Sequence, residues 1–315
     1  MEIKEGDRGT DPLFRRLSLT AVVSIFTLVV VGGIVRVTES GLGCPDWPLC
    51  HGRVVPSADA HTIIEYSHRV LASIVGVLLL VLTVLAWRGY RNRVWIVVGS
   101  TVSLGLVIIQ GVLGGVTVLT ELHGDVVTAH LLLAEVVLFT TVLVFLAAWR
   151  GLRFSHRHLG VLSPLTVITV VGVLILILTG SYTTTSGASG ACYEWPLCQG
   201  RIFMLDRLPA IHMIHRYVAL LVGPLVFLTA VTAWMKRDLI PNAGRMGVAA
   251  AVVFLTQVFV GAIAVWWALP EEVRVLHLAL ATLLWIVVVV LALLPYLSLE
   301  RGLQGTDFCT ETESS

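Results

Sequence analysis

Four of the ten histidines fall inside long hydrophobic runs: His68, His130, His215 and His277. A neutral imidazole is a metal ligand, and two facing helices that each supply one can hold a haem iron from both sides. The competing reading is an interhelical hydrogen bond, which in a membrane averages under about 1 kcal/mol. Haem suits these residues better than zinc, because no third Cys, His or carboxylate ligand accompanies both pairs. His51, His61, His123, His156 and His158 fall in connections or at the ends of the runs, where a solvated side chain is the default.

Glu65 precedes His68 by three residues and so shares its helix face. An acid inside a bilayer leaflet is costly and is a functional candidate by default. The alternative is a helix-start acid that interacts with the N-terminal dipole. The equivalent position in the second part of the chain is His212, read here as an interfacial residue rather than a fifth ligand. Chemistry is therefore expected in the part with Glu65, and a permanent cofactor in the other. Arg69 and Arg216 follow the histidines directly, placed either to pair with haem propionates or to snorkel to headgroups. Gln110 and Gln257, each followed by small residues (Gly111, Gly114, Gly115; Gly261, Ala262), read mainly as packing glue and secondarily as a substrate contact. Glu135, with Thr282 as its counterpart, is a weaker acid candidate, because five residues past His130 is a different helix face.

Five cysteines leave one odd thiol. Cys44/Cys50 and Cys192/Cys198 share one side of the membrane, the outer one by the charge argument below, where disulfides form and persist. Two readings stand: each bond staples its own loop, or one pair exchanges electrons with the haem site or a thiol partner. Cys309, in the tail, reads as a free thiol.

These residues need a membrane scaffold. The chain is 57% hydrophobic and 13% charged, against roughly 25% charged in a soluble domain. Mean hydropathy is +0.90. A net charge of +1 leaves no footprint for nucleic acid. Apolar periodicity and length predict eight transmembrane helices, at 17–37, 62–87, 94–119, 125–149, 162–184, 209–234, 245–268 and 273–297. Lys4, Arg8, Arg15, Arg16, Arg88, Arg91, Arg93, Arg150, Arg153, Arg157, Lys236, Arg237, Arg245 and Arg301 fall on one side, against Arg53, Arg201, Arg207 and Arg274 on the other. The positive-inside rule then makes both termini cytoplasmic. All four histidines come to lie roughly 8–10 Å below the outer surface.

The sequence repeats at an offset of 147 or 148 residues. Cys44-Pro-Asp-Trp-Pro-Leu-Cys50 matches Cys192-Tyr-Glu-Trp-Pro-Leu-Cys198, His68-Arg69 matches His215-Arg216, Gln110 matches Gln257, and His130-Leu131 matches His277-Leu278. The expected fold is an all-α integral membrane protein of two tandem four-helix bundles, related by a pseudo-two-fold axis along the membrane normal. Residues 1–16 form a cytoplasmic N-terminus, 17–150 and 151–300 the two halves, and 301–315 a cytoplasmic tail.

Taken together, Glu65-x-x-His68-Arg69, the Cys-x5-Cys loops, Gln110-Gly-x-x-Gly-Gly-x-Thr-Val118, His130-Leu131, His215-Arg216 and His277 resemble the haem A synthase family, over residues 17–297. Two Cys pairs match the bacterial form of that family. The resemblance implies an oxidoreductase that converts a methyl group of haem O through a hydroxymethyl to a formyl group. The product is haem A for cytochrome oxidase, and water supplies the oxygen. It further implies that His215 and His277 ligate a resident haem b, that His68 and His130 hold the substrate haem O, and that Glu65 is the acid essential to turnover. Haem O synthase and cytochrome oxidase assembly are the implied partners, the cell membrane the implied location, and an oligomer is compatible with it. The rival function is a di-haem b membrane electron-transfer protein linked to quinol, which would carry two permanent haems b.

Overall fold

Each apolar run becomes one helix. In the computed structural model, which describes residues 10–56, 58–150 and 162–296, these are α1 (Pro12–Val37), α2 (Ala60–Gly89), α3 (Val94–Leu119), α4 (Gly124–Arg150), α5 (Leu162–Thr185), α6 (Arg207–Met235), α7 (Ala243–Trp266) and α8 (Glu271–Leu293). All eight are long and apolar enough to cross a membrane. Among the described residues there is no strand beyond two isolated bridges, Cys50 to Arg53 and Cys198 to Arg201. The connection 151–161, the tail with Cys309, and His156, His158, Lys4, Arg8, Arg153, Arg157 and Arg301 lie outside the described residues.

Helix ends depart from the hydrophobic boundaries where polar residues cap. α1 starts five residues before the apolar run, because Asp11 accepts from Leu13 N at 2.8 Å and Pro12 occupies the first turn. α2 starts at Ala60 because Asp59 accepts from Thr62 N at 3.2 Å. Asp59 ionises below the usual carboxylate range, chiefly through this backbone bond. α8 stops at Leu293, short of the expected 297, and Leu294–Tyr296 tightens into a 3₁₀ turn at Pro295.

Neighbouring helices pair in two closed rings. α1–α2, α2–α3, α3–α4 and α4–α1 adjoin, as do α5–α6, α6–α7, α7–α8 and α8–α5. The rings meet along three seams: α1/α8, α4/α5 and α4/α8. Association inside a bilayer gains from close van der Waals contact rather than from water exclusion, so small residues mark these seams. A Cβ on Gly33 of α1 would stand 2.5 Å from Leu278 Cδ2 of α8, so a larger residue there would make that leucine shift. At the α4/α5 seam, Thr128 and Thr185 hydroxyls lie 3.3 Å apart, and Ser181 donates to Thr128 at 3.2 Å.

Candidate functional site

α2, α4 and α8 each present one histidine and α6 two to a single cavity of about 1430 Å³, lined by His68, His130, His212, His215 and His277. A typical small-ligand pocket holds roughly 300–1,000 Å³, so this one has room for more than one large ligand. His68 and His130 lie within electrostatic reach of each other, as do His215 and His277.

Apart from His212, each imidazole faces a glycine on the preceding helix. A Cβ on Gly32 would stand 3.1 Å from His68 Cε1, on Gly114 3.2 Å from His130 Cε1, on Gly180 2.9 Å from His215 Cε1, and on Gly261 2.8 Å from His277 Cε1. Real Cβ contacts essentially never fall under 3.0 Å, so the cradles of the second half are the tighter pair. Sequence reasoning took Gly114 and Gly261 as packing residues and passed over Gly32 and Gly180. Their recurrence at the repeat offset was the available signal.

The donor set fits haem. The Nδ1 atoms of His68, His130 and His277 are buried without a hydrogen-bond partner among the described residues. Thr179 Oγ1 lies 3.1 Å from His215 Nδ1, which leaves Nε2 for a ligand. Gln110 Nε2 donates to the His130 carbonyl at 2.9 Å and lies 3.3 Å from His130 Nε2, so this glutamine positions a candidate ligand as well as packing helices. Gln257 also lines the cavity, with its Oε1 buried and unpartnered. Among the described residues no cluster of three or more His, Cys, Asp or Glu gathers around a metal position. Paired imidazoles in an apolar chamber suit axial ligation of an iron macrocycle.

Glu65 lies at the cavity wall, only 5% exposed. Arg69 donates from Nε to Glu65 Oε1 at 2.8 Å. The same guanidinium donates to the carbonyls of Asp46 (2.8 Å), Leu49 (2.9 Å) and Cys44 (2.8 Å). Those three carbonyls belong to the loop closed by the Cys44–Cys50 disulfide. Asp46 completes the turn by accepting from His51 N at 2.6 Å and Gly52 N at 2.7 Å. The Gly52 bond is the main reason its carboxyl ionises below the usual range. Trp47 is thereby laid over the cavity against α3, where a Cβ on Gly115 would stand 2.7 Å from the indole.

The second half repeats this frame with a different partner. The Cys192–Cys198 disulfide closes the matching loop, and Arg216 donates to the carbonyls of Glu194 (2.8 Å), Pro196 (3.0 Å) and Leu197 (2.8 Å). Arg216 Nη2 also lies 3.2 Å from Nε2 of His212, which occupies the place of Glu65. Arginine only donates, so Nε2 accepts and Nδ1 donates to the Ala188 carbonyl at 3.1 Å. His212 is a buried imidazole held at both nitrogens, and it also lines the cavity. Ala262 stands where the first half has Gly115, and Trp195 stacks edge-on with Trp266 at 5.9 Å. Both arginines spend most of their donors on loop carbonyls, so the propionate contact expected of them competes with the loops.

Glu135 points elsewhere. It is fully buried in α4 and faces α8, where Thr282 Oγ1 donates to its Oε1 at 3.0 Å and Trp285 Nε1 to its backbone carbonyl at 3.0 Å. Two further cavity residues are Arg36 of α1 and Arg274 of α8; the charge count set Arg274 on the outer side, and neither was read as a site residue.

Comparison with known proteins agrees with this architecture. Residues 15–289 match the family described as cytochrome oxidase assembly protein (COX15-CtaA). A haem A synthase of Exiguobacterium sp. (strain AT1b) is 30% identical over 267 residues, covering 82% of this chain and 86% of the relative. One from Exiguobacterium sibiricum is 30% identical over 278 residues, covering 85% and 91%. One from Alkalihalophilus pseudofirmus is 32% identical over 232 residues, covering 70% and 77%. With eight membrane-spanning helices, two disulfide loops and a match across nearly its whole length, the chain belongs to the cytochrome oxidase assembly protein family.

Proposed function

We propose that this chain is a haem A synthase. It oxidises a methyl group of haem O to a formyl group in two steps, each removing two electrons and two protons, with water supplying the oxygen. His68 and His130 hold the substrate, and His215 and His277 hold a resident haem b. When bound, that haem b supplies a one-electron relay toward an external acceptor. The two rings of helices act as tandem bundles about a pseudo-two-fold axis. Support for the axis comes from the Glu135–Thr282 bond, which joins residues 147 positions apart, the repeat offset itself. Both termini lie in the cytoplasm of a cell-membrane protein, and the disulfide loops face outward. Haem O arrives from haem O synthase, and haem A leaves for cytochrome oxidase assembly.

The observation that carries the reading is the exchange of Glu65 for His212 within otherwise matching frames. Loss of hydride equivalents from a methyl on a conjugated ring leaves positive charge at that carbon. A carboxylate at the cavity wall stabilises such charge or takes a proton from the attacking water. Arg69 fixes Glu65 through Oε1 and keeps it oriented. A neutral His212, pinned at both nitrogens, does neither. Arg69 and Arg216 hold the two disulfide loops over the cavity, and each disulfide serves as a staple for its loop. Extraction of the haems from purified protein and their identification by mass tests the function. Haem b together with haem O or haem A is expected; haem b alone under every expression condition would indicate the quinol-linked di-haem carrier instead.

A further inference from the structure

Arg36 and Arg274 are brought together by the tightest helix contact in the molecule's seams. Gly33 of α1 packs on Leu278 of α8. Three residues on from Gly33 is Arg36, and four residues back from Leu278 is Arg274, so both rise about one turn toward the disulfide loops. Both line the cavity. By helix spacing, Arg36 shares the face of Gly32, the glycine beneath His68, and Arg274 shares the face of His277. Each arginine therefore stands above one of the two histidine pairs.

This is a poor place for two bare cations. Arg274 occupies the first turn of α8, where the helix dipole is positive and disfavours it. Arg36 lies within electrostatic reach of it and repels it, and the carboxylates that also reach it, Glu39 and Glu271, offset that repulsion in part. Among the described residues neither guanidinium has a carboxylate within 4.0 Å, and Nε of Arg36 is buried without a partner. Charges facing a low-dielectric chamber are normally paired. The opposite seam needs no such compensation. Under the repeat, Arg36 corresponds to Thr184 and Arg274 to Val127, and the α4/α5 seam is closed by hydroxyls.

We infer that Arg36 and Arg274 form a carboxylate clamp that binds the propionates of the haems in the cavity and turns their propionate edges toward the α1/α8 seam. The inference rests on the haem reading above and adds to it an orientation that the histidines alone do not set. Bidentate contact between a guanidinium and a carboxylate matches the fork geometry of arginine.

The test is a titration of purified full-length protein in detergent with iron protoporphyrin IX and with its dimethyl ester, followed by low-spin absorbance. The wild type should prefer the diacid by about 10- to 100-fold, the size of one or two charge-assisted bonds. Arg36→Gln and Arg274→Gln should each lose most of that preference without altering ester binding, and Arg36→Lys should retain much of it. Equal binding of diacid and ester by the wild type, or an undiminished preference in both Gln variants, would overturn the clamp while leaving the haem reading intact. Failure of the wild type to bind either porphyrin would overturn the haem reading and the clamp with it. An undiminished preference accompanied by loss of co-purifying anionic phospholipid from the variants would assign the pair to a lipid phosphate and also overturn the clamp.

Discussion

In the first half Arg69 reaches back one helical turn to a carboxylate, and in the second Arg216 reaches back the same distance to a neutral imidazole. Around that exchange the frame recurs: an arginine on loop carbonyls, a Cys-x5-Cys disulfide loop, a tryptophan over the cavity and a glycine beneath each histidine. Within the one cavity the two halves differ in that residue type, and on the proposed function the Glu65 side handles protons and charge while the His212 side only holds a haem. The supporting details diverge in the same direction. His215 has Thr179 at its Nδ1 where the first half has Val31, and its glycine cradle is tighter. A ligand whose second nitrogen is fixed is better oriented, which suits a permanent occupant.

The largest expected break in the comparison is Glu65→Gln. It keeps the shape and a hydrogen bond but removes the charge, so turnover should fall by a factor of about 10² to 10⁴. Haem O should accumulate while haem b stays near normal, as read by mass after extraction. His212→Gln should change turnover by no more than a few-fold; comparable losses in both variants would erase the asymmetry. Next is Arg69→Met against Arg216→Met. The first strands a buried carboxylate and should cost about 3–5 kcal/mol. The second removes charge-assisted bonds to carbonyls and to the His212 imidazole but strands no charge, and should cost about 1.5–3 kcal/mol. The thermal midpoint in detergent should therefore drop further for Arg69→Met, and the reverse order would show that Glu65 needs no counter-charge.

Smaller effects sharpen the same contrast. Alanine at Gly180 or Gly261 must push a histidine aside, and overpacking of this kind costs about 1–3 kcal/mol. Alanine at Gly32 or Gly114 meets its ring a few tenths of an ångström further away and should perturb low-spin absorbance less. The smallest effect is in the first loop, where Asp46 ionises below the usual carboxylate range because of Gly52 N–H. A depressed carboxyl stabilises the fold fully above its unfolded value and loses that contribution as pH falls through the folded one. Hydrogen exchange at the Gly52 amide should therefore be protected equally at pH 7 and pH 5 after correction for intrinsic rates. Protection should decline only below about pH 4. Loss of protection already between pH 7 and pH 5 would mean that another group holds the turn.

Much of this was legible in the residues. Hydrophobic length gave eight helices, because backbone groups in a bilayer must be satisfied within each segment. The repeat aligned the histidines and isolated Glu65, since chemistry-bearing side chains are rare in apolar runs. Helix starts at Pro12 and Ala60 were missed because Asp11 and Asp59 extend helices beyond the apolar pattern. The engagement of Arg69 and Arg216 with loop carbonyls was hidden, since it depends on how a loop some twenty residues away folds back. Arg36 and Arg274 are 238 positions apart, belong to different repeats and have no cationic equivalents, so no periodicity links them.

The division of labour between halves is tested most directly by mass identification of the haems extracted from His68→Ala and His277→Ala. The account predicts that His277→Ala loses haem b and that His68→Ala keeps haem b but loses haem O and haem A. Loss of the same haem from both variants, or retention of haem b with unchanged low-spin absorbance in His277→Ala, would contradict it.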